Sequence, residues 1–118
     1  MVTFNKSLKV ILPIEDNDGN KVDYTDSLKE AVTAFGGYTL RECKGGWLDN
    51  DTLYTDTSNE LELIYPFIDG SKAKALRAIL SHLFNEGGQL AVFVTIGQGS
   101  AILESSDLNE FINLLGAE

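Results

Sequence analysis

Histidine and cysteine are almost missing from this chain, which has one of each, His82 and Cys43. A lone cysteine excludes an internal disulfide framework, and no metal site built on two or more His or Cys ligands can form. Catalytic sets that pair a serine or cysteine with histidine have only His82 to draw on. It sits among Ile79, Leu80 and Leu83 at helical spacing and reads as a structural residue at a helix boundary. Cys43 lies beside Lys44, which can lower a thiol pKa, but a small strand residue is the plainer reading. Basic residues are also scarce, with 9 Lys and Arg against 18 Asp and Glu and a net charge of -9. Such a surface repels phosphate backbones, so no nucleic acid partner is expected, nor an anionic membrane. It can attract a cationic ligand or a basic protein patch, or it keeps the protein dissolved. No apolar run is long enough to cross a bilayer, and no basic, apolar leader opens the sequence. A reducing cytoplasm is the expected location.

What is present is the composition of a globular protein: 118 residues, 43% hydrophobic and 23% charged. One domain over residues 1–118 is expected, long enough to bury a real core. After a short lead-in to Ser7, Leu8, Val10, Leu12 and Ile14 alternate as in a half-buried strand. Pro13 marks an edge position or the strand's end. The segment 15–20 is polar and turn-forming. It lacks the twelve-residue spacing and closing glutamate of a calcium loop. A helix is expected from about Tyr24–Ser27, with Ser27 and Glu30 at capping-box spacing and Leu28, Ala31, Val32 and Phe35 on one face. Gly36–Gly37 should stop it. A strand over Tyr38–Cys43 follows, then a loop opened by Gly45–Gly46 that carries Trp47.

Glu60–Ile68 reads as the next strand, with Leu61, Leu63, Tyr65 and Phe67 on one face. Asp69–Ser71 holds a turn and a cap for a helix over Lys72–Asn85, striped by Ala73, Leu76, Ile79, Leu80, Leu83 and Phe84. Leu90–Ile96 has the pattern of a central strand. The segment Gly97–Gln98–Gly99–Ser100 lacks phosphate-loop spacing and reads as a tight hairpin into a short strand, Ala101–Glu104. Asp107 and Glu110 cap a last helix packed through Leu108, Phe111, Ile112 and Leu115.

This order predicts an α+β fold: a ferredoxin-like βαββαβ sandwich with an extra C-terminal strand and helix. Both main helices then cover one face of the sheet. Ile64, Ile68, Ala91 and Phe93 are expected on the uncovered face, and a bare apolar patch predicts self-association as a dimer or trimer.

Candidate chemistry concentrates between Phe35 and Glu62. Trp47 and Tyr54 can stack on a flat ring such as a purine. Asp56, Glu60 and Glu62 can meet a cation or act as a base. Glu60 and Glu62 should face the helix-free side, opposite Leu61 and Leu63. The plainer reading is that the two aromatics anchor a long loop while the acids face water.

At these residues the chain resembles the small phage-encoded S-adenosylmethionine lyases, long described as hydrolases. The likeness lies in the element order, the helix-to-turn segment Phe35–Thr39, the aromatic stretch from Gly46–Trp47 to Tyr54–Thr55–Asp56, and the strand-opening acids Glu60 and Glu62. It continues into the helix Lys72–Asn85 and the strand Gln89–Thr95. The resemblance implies a PII-like trimer with sites between subunits. It implies cleavage of S-adenosylmethionine to methylthioadenosine and homoserine lactone, with no cofactor or metal. The substrate's own carboxylate attacks its γ carbon, so the protein need only fold the substrate and exclude water. On this reading Tyr54 and Glu60 are catalytic: Tyr54 orients the methionine part and Glu60 meets its amino group or sulfonium. Trp47 or Tyr38 packs on adenine, and Asp56 and Glu62 complete the substrate site. Two alternatives stand beside it: a PII-like module that binds an adenine nucleotide without turnover, and an acidic inhibitor of a basic host protein.

Overall fold

A computed structural model of the protein describes residues 2, 4–97 and 99–116. Strand β1 (Lys6–Pro13) leads through a polar turn to helix α1 (Thr25–Phe35), followed by strands β2 (Thr39–Asp49) and β3 (Thr52–Tyr65). Helix α2 (Gly70–Asn85), strands β4 (Val92–Ile96) and β5 (Gly99–Leu103) and helix α3 (Leu108–Gly116) complete the chain. The strands form one sheet of order β2-β3-β1-β4-β5, and every neighbouring pair is antiparallel. The α+β class, the β4-β1-β3-β2 order of a ferredoxin-like sheet and the additional C-terminal strand and helix agree with the sequence reading. Gln98, in the expected Gly97–Ser100 turn, lies outside the described residues, as do Met1 and Thr3 of the lead-in.

Strand alternation decides which side chains meet the helices. Leu8, Val10 and Leu12 of β1, Leu61, Leu63 and Tyr65 of β3, and Val92 and Val94 of β4 are buried. They form one cluster with Ala31 of α1, Leu76, Ile79, Leu80 and Leu83 of α2, and Phe111, Ile112 and Leu115 of α3. Each fully buried leucine of this kind stabilises the fold by about 1.5–3 kcal/mol relative to exposure. The opposite face carries no helix, and Ile64 and Phe93 lie exposed on it, as expected.

Local chemistry sets the helix ends. The Asp69 carboxylate caps α2 by accepting from the Lys72 backbone N–H at 2.9 Å. Gly36, at φ 87°, takes the left-handed conformation that ends α1. His82 sits in the last turn of α2, with Nδ1 3.2 Å from Glu86 and its ring tilted against Tyr24. That is the structural setting expected of it. The Tyr24 hydroxyl in turn donates to the Pro13 carbonyl at 2.7 Å, tying the start of α1 to the end of β1.

Several expectations are corrected. The Ser27–Glu30 capping box does not form: Tyr24 is the N-cap without a side-chain cap bond, and Ser27 is buried in the first turn. Asp23 accepts from the Thr25 backbone N–H just before the helix instead. Of the two positions expected for Pro13 the strand's end holds and the edge does not, since β1 pairs with both β3 and β4. Ile68 packs against the core rather than the open face, because β3 ends at Tyr65 and the alternation stops there. Phe67 is exposed for the same reason.

The largest correction concerns the stretch between Gly45 and Asn59. It is not a loop: β2 and β3 run paired from Thr39↔Glu62 to Asp49↔Thr52. The turn is made by Asn50 and Asp51, both at positive φ (50° and 66°), the paired left-handed conformation of a tight hairpin. β1 stops at Pro13, opposite Ser58, so beyond that register β2 and β3 pair only with each other. They form a two-stranded arm, and the molecule measures 52 × 28 × 27 Å.

Candidate functional site

Along the arm, two-residue alternation sends side chains to two sides. Arg41 and Glu60, Cys43 and Ser58, Gly45 and Asp56, and Trp47 and Tyr54 are cross-strand partners on the side continuous with the open face. The Trp47 and Tyr54 rings stack with centroids 5.8 Å apart and planes 19° from parallel. They remain 52% and 45% exposed, so neither anchors a loop to the core. Leu48 and Leu53 pair on the other side and are also exposed.

Where the arm leaves the sheet, a cavity of about 390 Å³ is lined by Ile11, Pro13, Cys43, Asp56, Glu60 and Phe93, among others. A second hollow of about 570 Å³ shares Pro13, Lys44, Asp56 and Gln89 with it and adds Trp47 and the polar turn at Glu15–Asn17. Gly45 makes room here: a side chain at that position would start 3.0 Å from the Asp56 carboxylate. The structure thus gathers Asp56, Glu60 and Trp47 around two adjoining hollows, with Tyr54 on Trp47.

Glu62 and Tyr38 line neither of these hollows. Both border a smaller hollow with Phe35, Gly36 and Ile64 at the start of β2. Trp47 comes nine positions after Tyr38, about 30 Å of extended chain. Glu62 is already engaged: Ser7 Oγ donates to it at 2.8 Å and Arg41 Nη2 at 3.0 Å. These bonds, that from Ser7 first, hold its carboxyl below the usual carboxylate range. Arg41 also stands 3.7 Å from Glu60. Sequence reasoning missed Arg41, Ser7 and Gln89; Arg41 is the cross-strand partner of Glu60, which only the register reveals.

Cys43 does not behave as its neighbour Lys44 suggested. Burial, and then the Glu60, Asp56 and Glu42 carboxylates, push its thiol pKa up. The thiol donates to the Ser58 carbonyl at 3.5 Å. It is a strand residue in the cavity wall and no activated nucleophile. Among the described residues no group of three or more His, Cys, Asp or Glu is arranged to hold a metal ion, and no helix is long and apolar enough to cross a membrane.

No family model matches the chain, and no curated protein matches it. Among solved structures, a phage SAM lyase in complex with S-methyl-5'-thioadenosine matches 90% of this chain and 96% of its own, with a TM-score of 0.60 and 14% identity. A phage SAM lyase in the apo state matches 89% of this chain and 94% of its own, at TM-score 0.60 and 13% identity. The resemblance to phage SAM lyases read from the sequence therefore holds at the level of the fold.

Proposed function

We propose that the protein is a lyase that degrades S-adenosylmethionine to methylthioadenosine and homoserine lactone. The observation that supports it most is the acid-lined cavity on the open sheet face beside the stacked Trp47 and Tyr54, in a chain whose fold matches phage SAM lyases over most of its length. The reaction is intramolecular. The substrate carboxylate forms the new bond to the γ carbon while the electrons of the breaking C–S bond go to sulfur. No protein nucleophile is needed, which suits a site with an unactivated thiol. The protein's contribution is to fold the substrate into a reactive conformation and keep water out.

On this reading Trp47 packs on the adenine, Tyr54 orients the methionine part, and Glu60 faces the sulfonium or amino group with Asp56 beside it. Tyr38 and Glu62 belong to the substrate site of an assembly rather than of one copy. A PII-like trimer that buries the open faces brings the Tyr38 end of one subunit towards the arm of the next. Incubating purified protein with S-adenosylmethionine tests the proposal, with methylthioadenosine and homoserine lactone as the expected products. No product at high protein concentration overturns it.

A further inference from the structure

The open face carries its charge in two cross-sheet rows. In one, Arg41 and Ile11 flank Glu60; in the next, Thr39 and Lys9 flank Glu62. The two acids differ in how firmly they are held. Glu62, with its side chain 17% exposed, takes Ser7 on one oxygen and Arg41 on the other. Glu60, at 28%, has among the described residues only the long 3.7 Å approach of Arg41, and it faces the cavity with Asp56. The guanidinium is thus anchored on Glu62 and leans on Glu60.

We propose that Arg41 is the resident counter-cation of Glu60, and that a positively charged ligand takes its place there on binding. The identity of that ligand as a sulfonium rests on the lyase reading. In that reaction the sulfonium becomes a neutral thioether, so the ligand's charge opposite Glu60 disappears at turnover. An arginine waiting at 3.7 Å restores a partner to a half-buried carboxylate, and so favours release of the neutral product. Arg41 is therefore a specificity residue: it weakens the cationic ligand by competition and leaves the neutral one nearly untouched.

The test compares the parent chain with Arg41→Gln and Arg41→Lys. Affinity is measured for S-adenosylmethionine by rapid mixing before turnover, and for the neutral thioether S-adenosylhomocysteine by calorimetry. Arg41→Gln should tighten S-adenosylmethionine about three- to tenfold, the effect of removing one unit charge from roughly 7 Å at a partly wet surface. S-adenosylhomocysteine should stay within about twofold, and Arg41→Lys should stay near the parent for both. Equal changes for the two ligands, weaker binding of S-adenosylmethionine, or tightening by lysine as by glutamine overturns the inference. If Arg41→Gln tightens selectively but methylthioadenosine never forms, the lyase reading fails alone. If product forms without that selectivity, this inference fails alone. Absence of S-adenosylmethionine binding in all three chains overturns both.

Discussion

Strand β3 passes through two regimes, and the contrast between them organises the molecule. From Ser58 to Glu62 it lies between β1 and β2 and from there to Tyr65 it pairs with β1, with Leu61, Leu63 and Tyr65 buried under the helices. From Thr52 to Thr57 it pairs with β2 alone, and every residue is exposed. A two-stranded ribbon is marginal in water, so the arm depends on the sheet that roots it and on the Trp47–Tyr54 and Leu48–Leu53 pairs. One half of the strand supplies stability. The other, with the end of β2 paired to it, leaves four large apolar side chains exposed: Trp47, Leu48, Leu53 and Tyr54.

Substitutions can break or sharpen this contrast. The largest effect belongs to the body: Leu61→Ala should cost about 2–5 kcal/mol in denaturant unfolding, whereas Leu53→Ala in the arm should stay within about 0.5 kcal/mol. Equal costs would mean that the arm is packed in solution. Next comes Glu60→Gln, expected to lower kcat/KM for S-adenosylmethionine about 10²-fold with an unchanged unfolding midpoint. Trp47→Ala should lower kcat/KM about tenfold, the size of one aromatic stacking contact, again without loss of fold by circular dichroism. The smallest effect is a pH dependence in the body. The Lys72 backbone N–H, then the Ser71 hydroxyl and the Lys72 ammonium, hold the Asp69 carboxyl well below its ordinary value. A depressed carboxyl stabilises the fold above its unfolded pKa, about 3.9, and that contribution is lost as the pH falls towards the folded value. Asp69→Asn keeps a capping side chain but should flatten the acid limb, so unfolding midpoints at pH 7 and pH 3 should differ less than in the parent.

The sequence showed the body well and the arm poorly, for one physical reason. Alternation is visible only where one face is buried. Leu8–Val10–Leu12 and Leu61–Leu63–Tyr65 carry that signature, while Lys44–Asp49 and Thr52–Thr57 bury nothing and show no apolar period. The hairpin turn was hidden as well, because Asn50–Asp51 takes the left-handed conformations usually signalled by a glycine. Trp47, Tyr54, Asp56 and Glu60 were recognisable as chemistry-bearing residues. Their grouping around the cavity, and the separation of Tyr38, followed from pairing register.

By itself the sequence determined the helices, most of their stripes (Val32 of α1 turns out exposed), most of the core and the acidic balance, because helix periodicity and stop signals act over a few residues. The tertiary structure alone decided that Arg41 lies against Glu60 and Glu62, that Ser7 holds Glu62, and that the tryptophan stands on an arm. Those contacts join residues tens of positions apart, and only the pairing of β1 and β2 across β3 brings them within hydrogen-bonding distance.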